Sequence, residues 1–261
     1  MTDLLSKDHT ILERPYMEFP PFGMDENGEK IRDVSGVVIH NNVEYLEECI
    51  KGTKGAAASG RVKQELCRLL NERIKDQAHH VTPEFLKNEW HSYSYEFVCY
   101  LREFCNQLSG DPRFHYKMSA DRIVSPMIQV LGRPFSLQQI FSMYPHFAQK
   151  FATGVWVFEV GEVTDHSAIL RQRFTEHALR QLGPYMKSCA RNVCEQVKGG
   201  MCSVPEKVHG LPRASVSDRL CLANGDRWCE WEFTWAEESP TGLWGYTRKW
   251  FGSSRNRTVG K

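Results

Sequence analysis

The chain has 261 residues, 41% hydrophobic and 25% charged, which is enough apolar side chain to bury one sizeable core. Its 33 basic and 32 acidic residues leave a formal charge of +1, so no broad field draws it to nucleic acid or to an anionic membrane. No segment approaches the roughly 18 apolar residues of a membrane-spanning helix. The opening MTDLLSKDHT has no apolar run of signal-peptide length, which predicts a cytoplasmic protein. Nine cysteines are too sparse for a disulfide scaffold and odd in number. In a reducing compartment they are buried thiols, metal ligands or nucleophiles.

Residues 1–30 read as an arm. Pro15, Pro20 and Pro21 forbid regular helix there, and Tyr16, Phe19 and Phe22 give it rings to dock with. Residues 33–51 begin a helical region, with Val37, Val38, Val43, Leu46 and Ile50 at roughly helical spacing. A Gly-Ala break precedes a second helix in RVKQELCRLLNERIK. Thr82-Pro83 is an N-cap with proline at the first helical position. SYSYEFVCYLREFCNQL is a third, central helix ended by Gly110-Asp111-Pro112. Residues 119–150 also read as helix, broken at Gly132-Arg133-Pro134 and at Pro145.

The pattern changes at Gly154. GVWVFEV alternates and is rich in Val, Phe and Trp, so it reads as a strand, and HSAILRQRF pairs with it. A helix follows over 174–198, then a loop, GGMCSVPEKVHGLP. Two more strands, ASVSDRLC and WCEWEFTW, flank an Asn224-Gly225 turn. The expected fold is therefore mixed α/β, of the α+β kind, with helices first and then strand–strand–helix–strand–strand. Residues 31–236 form the domain, and 237–261 are a tail or linker.

The most informative motif is Asp218-x2-Cys221-x7-Cys229, whose cysteines flank the hairpin turn. Opposed side chains on an antiparallel pair lie about 4.5–5.5 Å apart at Cβ. Two thiolates at that separation can share a tetrahedral zinc, with Asp218 as an oxygen ligand and a fourth ligand from elsewhere. The same two cysteines can equally be core filler.

The segment Asp218–Phe233, with its acidic residue, cysteine, glycine and second cysteine leading into alternating aromatics, resembles the C-terminal signature of 4-vinyl reductase domains. Val34 and Gly36 before the first helix, Trp90, Tyr93 and Phe97 at the entry to the central helix, and Gly110-Asp111-Pro112 after it are similar to that family too. The resemblance spans roughly 31–236. These domains are relatives of phenol- and xylene-responsive sensory domains and of transport-particle subunits. It implies helices packed on a twisted antiparallel sheet, a homodimer, and an apolar pocket in each subunit. It also implies zinc held by three cysteines and one acidic residue, with Asp218, Cys221 and Cys229 on three of those positions and Asp where phenol-responsive members carry Glu. The family's remaining cysteine is missing at Leu182-Gly183-Pro184; Cys194 is the first replacement, with Cys189 and Cys202 as alternatives.

Trp156 resembles the family's pocket tryptophan, and its indole N–H can hold a ligand oxygen. From the residues alone it is as well read as a core tryptophan. His146, in MYPHFAQKF, is a ligand contact or an acid–base candidate. Tyr93 and Phe97 share a helical face as pocket lining or as core. No Walker loop, G-x-G-x-x-G, H-E-x-x-H, G-x-S-x-G or CxxC occurs, so no nucleotide cofactor is expected. The leading expectation is a sensory-type domain for a largely apolar or aromatic small molecule, with a structural zinc. A stand-alone enzyme using acid–base chemistry on a hydrophobic intermediate is the alternative, and an adaptor subunit is a third reading.

Overall fold

The computed structural model describes residues 9–236. The expected tail, 237–261, lies outside the described residues. The described part of the arm is bound in place: Met17 N–H donates to the Arg73 carbonyl at 2.8 Å and Ser94 N–H to the Pro21 carbonyl at 2.8 Å.

The first element is a short strand pair. β1 (Val34–Ser35) lies antiparallel to β2 (Ser92–Tyr93), with Val34 opposite Tyr93. Helix α1 (Gly36–Lys54) starts at Ser35, whose Oγ accepts from Val37 N–H and satisfies one of the free amides of the first turn. The short α2 (Ala56–Ser59), α3 (Val62–Asn71) and α4 (Pro83–Leu86) complete this corner. Thr82 caps α4 as its sequence predicts, accepting from Phe85 N–H at 3.2 Å.

The central helix is α5 (Tyr95–Ser109), capped by Ser94 and ended by Gly110 in the left-handed region, φ 66°. Every residue from Tyr95 to Leu101 is buried, and so are Arg102, Phe104 and Cys105, so the helix is surrounded rather than amphipathic. Then come α6 (Phe114–Arg122), α7 (Pro126–Gly132) and α8 (Leu137–Phe151). Pro145 sits inside α8 without ending it, which corrects the expected break. Ser136 and Gln139 form a capping box at its start.

The sheet is antiparallel, in the order β3–β4–β6–β5, from β3 (Trp156–Val163), β4 (Ser167–Phe174), β5 (Ser215–Leu220) and β6 (Cys229–Thr234). Leu170 pairs with Trp231 and Gln172 with Cys229. Period-2 alternation sends Ala168, Leu170, Gln172 and Phe174 to the same face as Cys229, Trp231 and Phe233, and all are buried. The opposite face carries charge, with Arg171 Nε donating to Glu230 at 2.5 Å and Arg219 paired with Glu232 at 3.0 Å.

The helix expected over 174–198 is two helices. α9 (Glu176–Leu182) stops at Gly183, and α10 (Met186–His209) runs straight through the segment expected to be a loop. The Gly199-Gly200 pair that reads as punctuation is a packing requirement. A Cβ on Gly199 would lie 2.0 Å from the Tyr116 carbonyl oxygen, and one on Gly200 2.8 Å from Ser119 Oγ. The glycines let α10 press against α6. The overall order of helices and strands is otherwise as expected, and the α+β class holds. Among the described residues no helix is long and apolar enough to cross a membrane.

Candidate functional site

Two constellations stand out, both built by α10. The first joins Cys194 of α10 to Cys221 and Cys229 at the mouth of the β5–β6 hairpin. Their three sulfurs all lie within 4.8 Å of one another, with Cys194 and Cys229 at 2.8 Å. Leu220 and Glu230 form the last strand pair, so the two hairpin cysteines face each other where the ladder opens. A short 3-10 turn, Leu222–Asn224, followed by Gly225 in the left-handed region at φ 96°, closes the hairpin. Leu222 N–H donates to Cys229 Sγ at 3.4 Å, and Asn224 N–H donates to the Cys221 carbonyl at 2.9 Å.

Hydrogen bonds from the thiols of Cys194 and Cys229 outweigh partial burial and hold Cys221 far below the ordinary thiol range. Cys194 is pushed up by its bonds to Cys221 and Cys229 and by burial. Asp218 is not part of the set. It lies on exposed β5, bound to Lys198 Nζ at 3.3 Å. Of the three replacement candidates the structure brings in Cys194 and leaves out Cys189 and Cys202. Cys189 is buried against Cys99, and Cys202 beside Tyr116.

The second constellation is a seam between α5, α10 and the inner face of the sheet. Arg102 is 5% exposed, yet its Nε and Nη1 have no hydrogen-bond partner, and Nη2 donates only to the neutral amide oxygen of Gln196. Tyr95 packs its ring on Trp156 (5.6 Å between centroids) and Phe174 (5.8 Å). Its hydroxyl has no nitrogen or oxygen partner and sits by the Cys99 thiol, in the field of Arg102. Burial therefore drives the Tyr95 pKa well above its ordinary value. On the inner sheet face both amide atoms of Gln172 and the Trp231 indole N–H are also buried and unbonded. Buried polar groups left without partners cost about 1–3 kcal/mol each, so such a set calls for an explanation.

Of the pocket residues named from sequence, only Trp156 belongs to this seam, stacked on Phe174 at 4.0 Å. Tyr93 and Phe97 stack on each other at 5.0 Å in a separate corner with Phe22 and Phe85, and Tyr93 Oη donates to the Phe85 carbonyl at 3.3 Å. His146 is exposed on α8 beside Phe147, outside any converging set of titratable groups. Arg102, Tyr95, Gln172 and Trp231 were not picked out by sequence reasoning. For Gln172 a signal was present, since it falls at the inward parity of HSAILRQRF.

No protein-family model and no curated protein sequence matches the chain. Solved structures do. One is a point mutant of the T. tengcongensis H-NOX protein, with TM-score 0.53 and 9% identity, covering 78% of this chain and 98% of that one. Another is an oxygen-binding H-NOX domain related to soluble guanylate cyclases, with TM-score 0.51 and 9% identity over 78% and 96% of the two chains. A third, from work on heme distortion in the H-NOX family, has TM-score 0.51 and 8% identity over 78% and 96%. The chain therefore has the H-NOX fold.

This overturns the 4-vinyl reductase resemblance, which rested on one hairpin and loose motifs, whereas the likeness to H-NOX domains runs through most of the chain. The zinc expectation falls with it as the account of the cofactor, because the neighbours are described by heme and by oxygen instead.

Proposed function

We propose that this chain is a small-molecule sensory domain on the H-NOX fold, and that its ligand is a compact aromatic acid held at the Arg102–Tyr95 seam. The single observation that carries this reading is the buried guanidinium of Arg102, with two of its three nitrogens unbonded and only a neutral partner on the third. A buried cation without an opposing charge is costly, and an anionic ligand oxygen supplies that charge. The Tyr95 hydroxyl, on the same helix and in the field of Arg102, is a further buried donor without a nitrogen or oxygen partner.

Heme suits the residues present poorly. A porphyrin needs a broad apolar slot and an axial donor aimed into it. Here aromatic side chains pack directly on one another between the helices and the sheet, Trp156 on Phe174 at 4.0 Å and Phe141 on Trp235 at 4.7 Å. His115 is the only buried histidine among the described residues; its Nε2 donates to the Arg102 carbonyl at 3.2 Å, and its Nδ1 is buried without a hydrogen-bond partner. It borders a cleft of about 690 Å³ between α5, α6 and α10, where Glu103, Asn106, Asp111, Arg113 and Glu195 make the wall polar and charged in both senses. Heme is accordingly left out of the mechanism proposed for this chain.

Within the proposal, ligand entry compensates Arg102 and tightens α5 against α10, the two helices that Arg102 and Gln196 join. The homodimer expected from sequence finds support in α7, a seven-residue helix on which Met127, Val130 and Leu131 are exposed. Calorimetric titration with benzoate, salicylate and phenylacetate tests the ligand class. At least one should bind saturably to the parent and raise its Tm, and Arg102→Met should abolish both effects. Equal binding by the variant, or no binding of any of the three by the parent, would overturn the assignment.

A further inference from the structure

The cysteine cluster lies beside the Arg102 seam, with Cys229 opposite Gln172 across the β4–β6 ladder, and is not used by the function proposed above. It has three features in combination. The sulfurs of Cys194, Cys221 and Cys229 are mutually within 4.8 Å. Cys221 is half-buried while the other two are buried, so an oxidant from solvent meets Cys221 first. The Leu222 N–H donates to the Cys229 sulfur at 3.4 Å, so the hairpin turn holds that sulfur in place 2.8 Å from Cys194.

We propose that this cluster is a peroxide-responsive thiol relay in which Cys221 takes up the oxidant and the Cys194–Cys229 pair ends as a disulfide joining α10 to β6. In the first step the Cys221 sulfur attacks hydrogen peroxide, the O–O bond breaks, and a sulfenic acid and hydroxide result. In the second, the Cys194 sulfur attacks the sulfenic sulfur and water leaves, forming a Cys221–Cys194 disulfide. In the third, the Cys229 sulfur, 2.8 Å from Cys194, displaces Cys221 by thiol–disulfide exchange. The sum is two thiols and one peroxide giving one disulfide and two waters, with Cys221 regenerated. The new bond cross-links the C-terminal hairpin to the long helix that also walls the seam.

The full chain, treated with one equivalent of hydrogen peroxide and then alkylated, tests this by intact mass and peptide mapping. The expected result is loss of two hydrogens per chain, a Cys194–Cys229 cross-link, and free Cys221. Cys221→Ser should slow oxidation of the remaining pair roughly tenfold or more, since those sulfurs are buried. Three results would overturn the relay: no disulfide within the cluster of the parent, oxidation of the Ser variant at the parent rate, or thiols that alkylate only after a chelator is added. The parent measurement stands on its own should the variant fold poorly.

Discussion

Arg102 and His115 sit on adjoining helices, and each carries a separate prediction. Replacing Arg102 with Met removes a buried charge that has no anionic partner, so the ligand-free protein should be about 1–3 kcal/mol more stable even as it loses its ligand. Urea unfolding with and without benzoate separates the two effects. A loss of stability without ligand would mean that Arg102 is a structural group. His115 is pushed down from 6.5 to about 3, first by burial and then by the Arg102 charge. Its folded value lies below its unfolded one, so the folded state holds the proton less tightly. Its contribution is whole above pH 6.5 and is lost as pH falls toward 3, at up to ~1.4 kcal/mol per pH unit. His115→Gln keeps a donor for the Arg102 carbonyl and should flatten the fall in stability between about pH 6.5 and about pH 4.5. At this scale the sequence was legible where residue type and spacing carry chemistry. Cys221 and Cys229 were found because a hairpin opposes its flanking residues, whereas Cys194 lies on another element and its place depended on how α9 and α10 divide. Arg102 was missed because an arginine in a helix ordinarily extends to solvent, and only the burial of the whole of α5 traps it.

Among the elements, α10 determines most of the architecture. It meets α6 on one side, the hairpin on the other and α5 through Asn192, whose Nδ2 donates to Glu103 at 2.9 Å. Its glycines were read as a loop because Gly-Gly lowers helix propensity locally, but propensity yields to packing when only a missing Cβ allows two helices to meet. Gly199→Ala should therefore destabilise the protein despite its better helix propensity, by at least about 1–3 kcal/mol, measurable by chemical unfolding. A gain in stability would show that the α6–α10 approach is not tight. The strands were more legible, because GVWVFEV, HSAILRQRF and WCEWEFTW are rich in β-branched and aromatic residues, and CEWEFT alternates as a half-buried sheet demands.

The whole molecule is tied together by a latch between the arm and the central helix. Glu96 is fully buried; it pairs with Arg14 and accepts from the backbone N–H groups of Glu18 and Phe19 at 2.9 Å each. Burial raises the Glu96 pKa, and the Phe19 amide and Arg14 work against that rise. Arg14→Met leaves the carboxylate buried without its cation and should cost about 3–5 kcal/mol, with loss of protection in the arm by hydrogen exchange. The arm was expected to dock through its aromatic residues, and its charged anchor was not, since the partner lies far along the chain in a run of buried residues. The family was misjudged for a related reason. A local hairpin motif carries little information about the packing of all the other elements, and that packing is what the likeness to H-NOX domains reflects.

The central claim is that an H-NOX fold here serves a ligand other than heme. The most direct measurement is the visible absorption spectrum of the full chain, produced with ample heme supply and then titrated with hemin. The account predicts no Soret band in the purified protein and only weak, unsaturable association of added hemin. A stoichiometric Soret band, with a sharp ferrous spectrum on reduction, would contradict it.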